Sequence, residues 1–195
     1  MNHKISRVNK KIQKKLDKER YEHTLGVMYT AAALAMCHNV NVEQALLAGL
    51  LHDCAKCIPN DRKVKLCRKY HLEISDVELK NPSLLHAKLG AFMAKKKYHI
   101  EDYEVLCAIK SHTTGKPAMT PLEKIIYIAD YIEPGREELP NMAEVRRLAF
   151  HNIDECLYRM LKDSLEYIKS KNLAIDEMTE KTYHYYHKIL KEQEG

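Results

Sequence analysis

Val42-Glu43-Gln44-Ala45-Leu46-Leu47-Ala48-Gly49-Leu50-Leu51-His52-Asp53 runs largely on alanine and leucine and then stops on an imidazole and a carboxylate. Alanine and leucine are among the strongest helix formers, so Val42 to Leu51 reads as a helix. Gly49 inside it marks a place where a neighbour packs close. His52 and Asp53 therefore stand at the C-terminal end of a core helix.

Working outward toward the N-terminus, Leu25, Met28, Ala32 and Ala35 keep the three-four rhythm of one helix face, which predicts a helix from Tyr21 to about Cys37 with His23 in its first turns. The basic stretch from Lys4 to Arg20 carries Ile5, Val8, Ile12 and Leu16 at near-helical spacing. That pattern suits the solvated face of an amphipathic helix better than a surface for RNA or for phosphate steering.

Toward the C-terminus, Pro59-Asn60-Asp61 caps a short polar helix to about Tyr70, and Asn81-Pro82-Ser83 opens another with His86 in its first turn. A helix from about Asp102 to Ser111 hands over at His112 to the loop Thr113-Thr114-Gly115-Lys116-Pro117. Thr120-Pro121-Leu122-Glu123 joins a capping threonine, a first-position proline and a glutamate three residues on, the clearest helix start in the chain. Leu122, Ile125, Ile126, Ala129 and Ile132 carry its buried face, and Asp130 lies late on it, before the stop at Pro134-Gly135. Asn141 and Glu144 repeat the capping pattern, and Ile153 to Gln193 reads as two helices joined near Leu173 to Glu177. The fold class expected is all-α, a single helical bundle over residues 1–195, with a core at about 20–150 and a helical extension at about 151–195.

Composition agrees. The 195 residues are 45% hydrophobic, enough for a core, and hold only 6 glycines and 6 prolines with no tryptophan, which disfavours a turn-rich sheet fold. The net charge of +5 is mild for a nucleic-acid footprint but suits small anions. No apolar run is long enough to span a bilayer and no secretory core opens the chain, so a cytoplasmic protein is expected. The 6 cysteines are expected as free thiols. Cys54 and Cys57 have redox or zinc spacing, yet no second pair and no preceding strand support either use.

A lone His-Asp doublet carries little weight, since 11 histidines and 9 aspartates give about half of one such pair by chance. Its setting carries more: His23 on the preceding helix, His52-Asp53 at a helix end, and Asp130 between Ala129 and Tyr131 on an apolar helix. Any one of these alone is read more economically as an ordinary buried hydrogen bond. Together they form a mixed imidazole and carboxylate set suited to iron, manganese, cobalt or zinc, with coordination positions left for water and a phosphate oxygen. A carboxylate buried at Asp130 also needs a partner, and a cation supplies one.

The order His23, His52-Asp53, Asp130 resembles the HD-domain metal-dependent phosphohydrolases. The strings Arg20-Tyr21-Glu22-His23-Thr24-Leu25-Gly26-Val27, Leu50-Leu51-His52-Asp53-Cys54-Ala55-Lys56, His112-Thr113-Thr114-Gly115 and Ile128-Ala129-Asp130-Tyr131-Ile132-Glu133-Pro134-Gly135-Arg136 are similar to the bacterial YqeK family, over about Arg20 to Ala149. This resemblance implies metal-dependent symmetrical hydrolysis of diadenosine tetraphosphate and related dinucleoside polyphosphates to two nucleoside diphosphates, with iron as the expected metal. It places metal ligands on His23, His52, Asp53 and Asp130, catalysis on Asp53 and Lys56, and substrate contacts on Arg20, Lys56, His86, His112 and Arg136.

Some HD proteins use two histidines between the doublet and the last aspartate for a second metal. For His86 and His112 phosphate contact is the expectation, with the dinuclear site as the alternative. Lys56, three positions after Asp53, shares its direction if the helical turn persists. A nucleotide is the implied partner, with no membrane, no stable nucleic-acid complex, and a homodimer left open. Beyond Ala149 the resemblance thins: Thr179 and Tyr183 match a family segment, but His184 stands where an asparagine is common. Tyr183 to His187 reads as a packing face more readily than as a base-stacking surface. A mononucleotide-cleaving HD nucleotidase, and a nucleotide-binding sensor with little turnover, remain the competing functions.

Overall fold

The computed structural model describes residues 3–137, 139 and 141–194. Among them there is no strand; eleven α-helices and one 3₁₀ turn account for the regular structure. The basic N-terminal stretch forms α1 (His3–Gln13), whose Ile5, Val8 and Ile12 are buried while the lysines face out. It is not continuous with the next helix. Asp17 accepts a hydrogen bond from the Arg20 amide at 2.8 Å and starts α2 (Lys18–Cys37) three residues before the expected Tyr21. An N-terminal cap of this kind contributes about 1 kcal/mol.

α3 (Val42–Leu51) starts on Asn41, whose side chain accepts from the amides of Glu43 and Gln44. It lies along α2 at backbone contact: a Cβ built on Gly49 would sit 2.8 Å from the Cα of Met28. After α3 the turn continues, with the Lys56 amide donating to the Asp53 carbonyl at 2.9 Å. α4 (Asn60–Lys69) and α5 (Asp76–Lys80) follow; the latter, unread in the sequence, is set by a capping box between Ser75 and Glu78. A single 3₁₀ turn at Pro82–Leu84 leads into α6 (Leu85–Tyr98), and then come α7 (Tyr103–Ser111) and α8 (Pro121–Ile132). The expected box at Thr120 and Glu123 forms.

The next expected box does not form. Asn141 precedes α9 (Met142–Ala149) with a backbone unsuited to capping, and its side-chain amide donates to Asp163 instead. α10 (Ile153–Ser170) and α11 (Glu177–Glu194) close the chain.

α2, α3, α7 and α8 pack on one another and place the ends of three of them, together with the start of α6, around one point. α11 supports that arrangement from outside. Gly115, at φ +65°, takes a left-handed turn against the Thr182 methyl, and the Met119 amide donates to the buried Tyr186 hydroxyl at 3.1 Å. The rings of Tyr158, Tyr183 and His187 stack between α10 and α11, so this aromatic cluster packs helices together. No helix among the described residues is long and apolar enough to cross a membrane.

Candidate metal centre

His52 and His112 stand just past the ends of α3 and α7, and His86 is at the start of α6. Each ring bonds the carbonyl three residues before it: His52 Nδ1 to Gly49 at 2.7 Å, His86 Nδ1 to Ser83 at 2.6 Å, His112 Nδ1 to Ile109 at 2.7 Å. A carbonyl only accepts, so each Nδ1 carries the hydrogen and each Nε2 turns its lone pair inward. For His52 and His112 the partner is one of the carbonyls that a helix end leaves unpaired.

Those lone pairs converge on Asp53. Its Oδ1 lies 3.1 Å from His86 Nε2 and 3.6 Å from His112 Nε2; its Oδ2 lies 3.6 Å from His52 Nε2 and 4.0 Å from His23 Nε2. Asp130 Oδ1 is 3.1 Å from His23 Nε2 and 3.8 Å from His52 Nε2. Two sets thus have ligand atoms within 4.8 Å of one another: His23, His52 and Asp130, and His52, Asp53 and His112. Asp53 faces both.

The residues fit a cation. His23 Nε2, His52 Nε2 and Asp53 Oδ1 are buried and have no hydrogen-bond donor or acceptor to satisfy them. Buried polar atoms are seldom left so, and acceptors aimed at one another want positive charge between them. Burial pulls the His52 pKa down to about 4, which keeps the ring neutral and able to ligate. Burial also lowers His86. It would raise both aspartates, but His52, His112 and His86 outweigh it at Asp53, and His23, His52, His112 and Arg136 do so at Asp130, so both carboxyls stay below their ordinary range. Burial likewise opposes protonation of His112, yet Asp53 and Asp130 raise its pKa, the mark of a site that draws positive charge.

Around this floor stands a basic rim. Arg20 Nη1 donates to Asp53 Oδ2 at 2.9 Å, Lys56 Nζ lies 4.0 Å from Asp53 Oδ1 and 3.4 Å from His86 Nε2, and Arg136 holds Asp130 through its carbonyl at 2.8 Å and Oδ1 at 2.5 Å. These three are partly exposed, whereas His52, His86 and His112 are 0%, 1% and 3% exposed. All nine residues singled out in the sequence are therefore in one neighbourhood. A cleft of about 600 Å³ lined by His112, Asp130, Tyr131, Arg136 and Met160 opens beside them. Another of about 390 Å³, holding Tyr103, Lys110 and Lys116, lies across Thr113, which lines both.

Glu133 and Gly26 were missed. Glu133 Oε1 accepts from His23 Nδ1 at 3.0 Å, and the carboxylate is buried. One signal was available: an anion at the C-terminal end of an apolar helix opposes the helix dipole and needs a reason to be there. The Cys54 and Cys57 thiols point to different partners, Gly90 and Asp17, and all six cysteines are free.

The HD domain model matches residues 20–135, the segment carrying every residue of the floor and all but one of the rim. HD domains bind divalent metals. The chain is 35% identical to the symmetrical bis(5'-nucleosyl)-tetraphosphatase of Bacillus subtilis, covering 89% of this chain and 92% of that protein. It is 39% identical to the protein of that name from Halalkalibacterium halodurans (86% and 89% covered) and 34% to that from Staphylococcus aureus (93% and 94% covered). The crystal structure of an HD superfamily hydrolase from Clostridium acetobutylicum superposes with a TM-score of 0.91 at 38% identity, covering 94% of this chain and 96% of the other. The chain belongs to the HD-domain family, on the branch of the symmetrical bis(5'-nucleosyl)-tetraphosphatases.

Proposed function

We propose that this hydrolase cleaves diadenosine tetraphosphate and related dinucleoside polyphosphates symmetrically, to two nucleoside diphosphates. The observation that carries the proposal is the convergence of four imidazoles and two carboxylates, buried at His52, Asp53, His86 and His112, beneath a basic rim, in a chain whose relatives bear that activity in their names. A bound divalent metal lowers the pKa of water toward neutrality and polarises a phosphoryl oxygen.

In this reading His23, His52, Asp53 and Asp130 hold the metal, with iron as the resident ion. Asp53 would orient the reacting water or take its proton. Lys56, Arg20 and Arg136 contact the polyphosphate and offset the charge that builds on it, the main task in phosphoryl transfer. The cleft lined by His112, Asp130 and Arg136 adjoins the floor and suits a nucleoside end of the substrate. Residues 1–195 act as one domain, in the cytoplasm.

A second reading is favoured by one observation. His86 and His112 are too buried to serve a phosphate as well as the rim does, and both face the Asp53 oxygen turned away from His23. With Asp53 they would hold a second metal.

The test is an assay of anaerobically purified protein, with metal analysis, on diadenosine tetraphosphate. ADP as sole product supports the proposal. ATP with AMP would show asymmetric cleavage, and orthophosphate released from AMP or dAMP would show a mononucleotidase. Nucleotide binding without turnover in protein loaded with iron or manganese would show a sensor.

A further inference from the structure

Four imidazoles meet at the centre, and three of them spend Nδ1 on a backbone carbonyl. His23 alone among them gives it to a carboxylate, Glu133 Oε1 at 3.0 Å. The fold makes room for that carboxylate. Gly26 follows His23 by one turn of α2, and a Cβ there would overlap Glu133 Oε2. Gly135 closes the other side, where a Cβ would come within 3.1 Å of both carboxylate oxygens, and its amide donates to Oε2 at 2.6 Å. The Glu133 carbonyl is held in turn by the Arg136 amide at 3.1 Å. A buried carboxylate with one oxygen on a backbone amide and the other on a ring has a single orientation.

We propose that Glu133 is a positioning residue for His23, and that Gly26 exists to admit it. Glu133 fixes the tautomer that turns Nε2 toward Asp130 and, as an anion on the far nitrogen, makes this ring a stronger donor than one bonded to a carbonyl. His23 sits on α2, and Glu133 directly follows α8, which carries Asp130, so the contact also ties together the two helices that supply those side chains. The inference rests on His23 being a metal ligand.

The experiment is cobalt(II) titration of metal-stripped full-length protein against a competing chelator, with melting of the metal-free form as the control. Glu133→Gln keeps the shape and removes the charge. It is expected to weaken cobalt binding about 10- to 100-fold, to leave the metal-free melting temperature unchanged, and to recover turnover at saturating cobalt. Gly26→Ala should weaken binding likewise, and the double variant no more than the worse single one. Unchanged affinity in Glu133→Gln, additive losses in the double variant, or an equal fall in metal-free melting temperature overturns the proposal. Should Glu133→Gln fail to fold, Gly26→Ala carries the test on the same readout. His23→Ala separates the underlying reading: if it binds cobalt as the natural chain does, the ligand assignment fails; if it loses cobalt while Glu133→Gln does not, only the role of Glu133 fails.

Discussion

His86 Nε2 and His112 Nε2 lie 3.1 Å apart, both against the same oxygen of Asp53. Two ring nitrogens with their hydrogens committed elsewhere do not bond each other, so a proton or a metal must reconcile them. If it is a metal, protein prepared with excess iron or manganese under anaerobic conditions carries close to two ions per chain, and His112→Ala carries about one. One ion in both preparations would return these histidines to the phosphate-contacting role.

Asp53 meets both ligand groups and the rim. Asp53→Asn is expected to lower kcat on the order of a thousandfold, comparable to losing a principal transition-state contact. Helix content by circular dichroism should not change. A variant within tenfold of the natural rate would remove Asp53 from catalysis.

Lys56 is partly exposed and makes no short ion pair; its nearest carboxylate oxygen is 4.0 Å away. Lys56→Ala should therefore cost little stability and lower kcat/KM about ten- to a hundredfold, the worth of one charged hydrogen bond to substrate. Lys56→Arg should recover part of the loss. Steady-state kinetics on diadenosine tetraphosphate would show it, and an unchanged kcat/KM in the alanine variant contradicts the contact.

Acid should destabilise the metal-stripped protein in a window set by His52. Burial lowers its pKa from 6.5 to about 4. The unfolded chain therefore takes up the proton first as pH falls: the contribution is complete above pH 6.5, declines through the interval, and is lost near pH 4, about 3 kcal/mol in all. Asp53 and Asp130, held below 3.8, lose their contribution at still lower pH. Metal bound to the folded form alone raises the whole curve. Thermal melts after chelation, taken from pH 7 to 4, should show the decline; a flat profile would speak against a neutral buried ring.

The helices were legible where a side chain announces an end in one line of sequence. Thr120 with Glu123 caps as its residue types suggest, and Asn41 and Asp102 cap α3 and α7, whose extents were read from the residues that follow them. Asn141 shows why that signal is local: a tertiary partner, Asp163 on α10, claims its amide. Asp17 set the start of α2 unnoticed because the apolar rhythm is visible only later, from Leu25. At the site, His23, His52, Asp53 and Asp130 could be named from motif order, but their spacing depends on how four helices pack. Glu133 went unread because, next to Pro134-Gly135, it looks like a solvent-facing turn residue; its burial comes from Gly26, more than a hundred positions away in the chain.

Gly49 acts as a gauge block. By letting the α3 backbone rest on Met28, it fixes how far the stalk bearing one imidazole stands from the stalk bearing another. A methyl group there would prise the stalks apart. In a survey of tolerated substitutions, residue 49 should accordingly behave like an active-site position, although all it offers the site is a backbone carbonyl that orients His52.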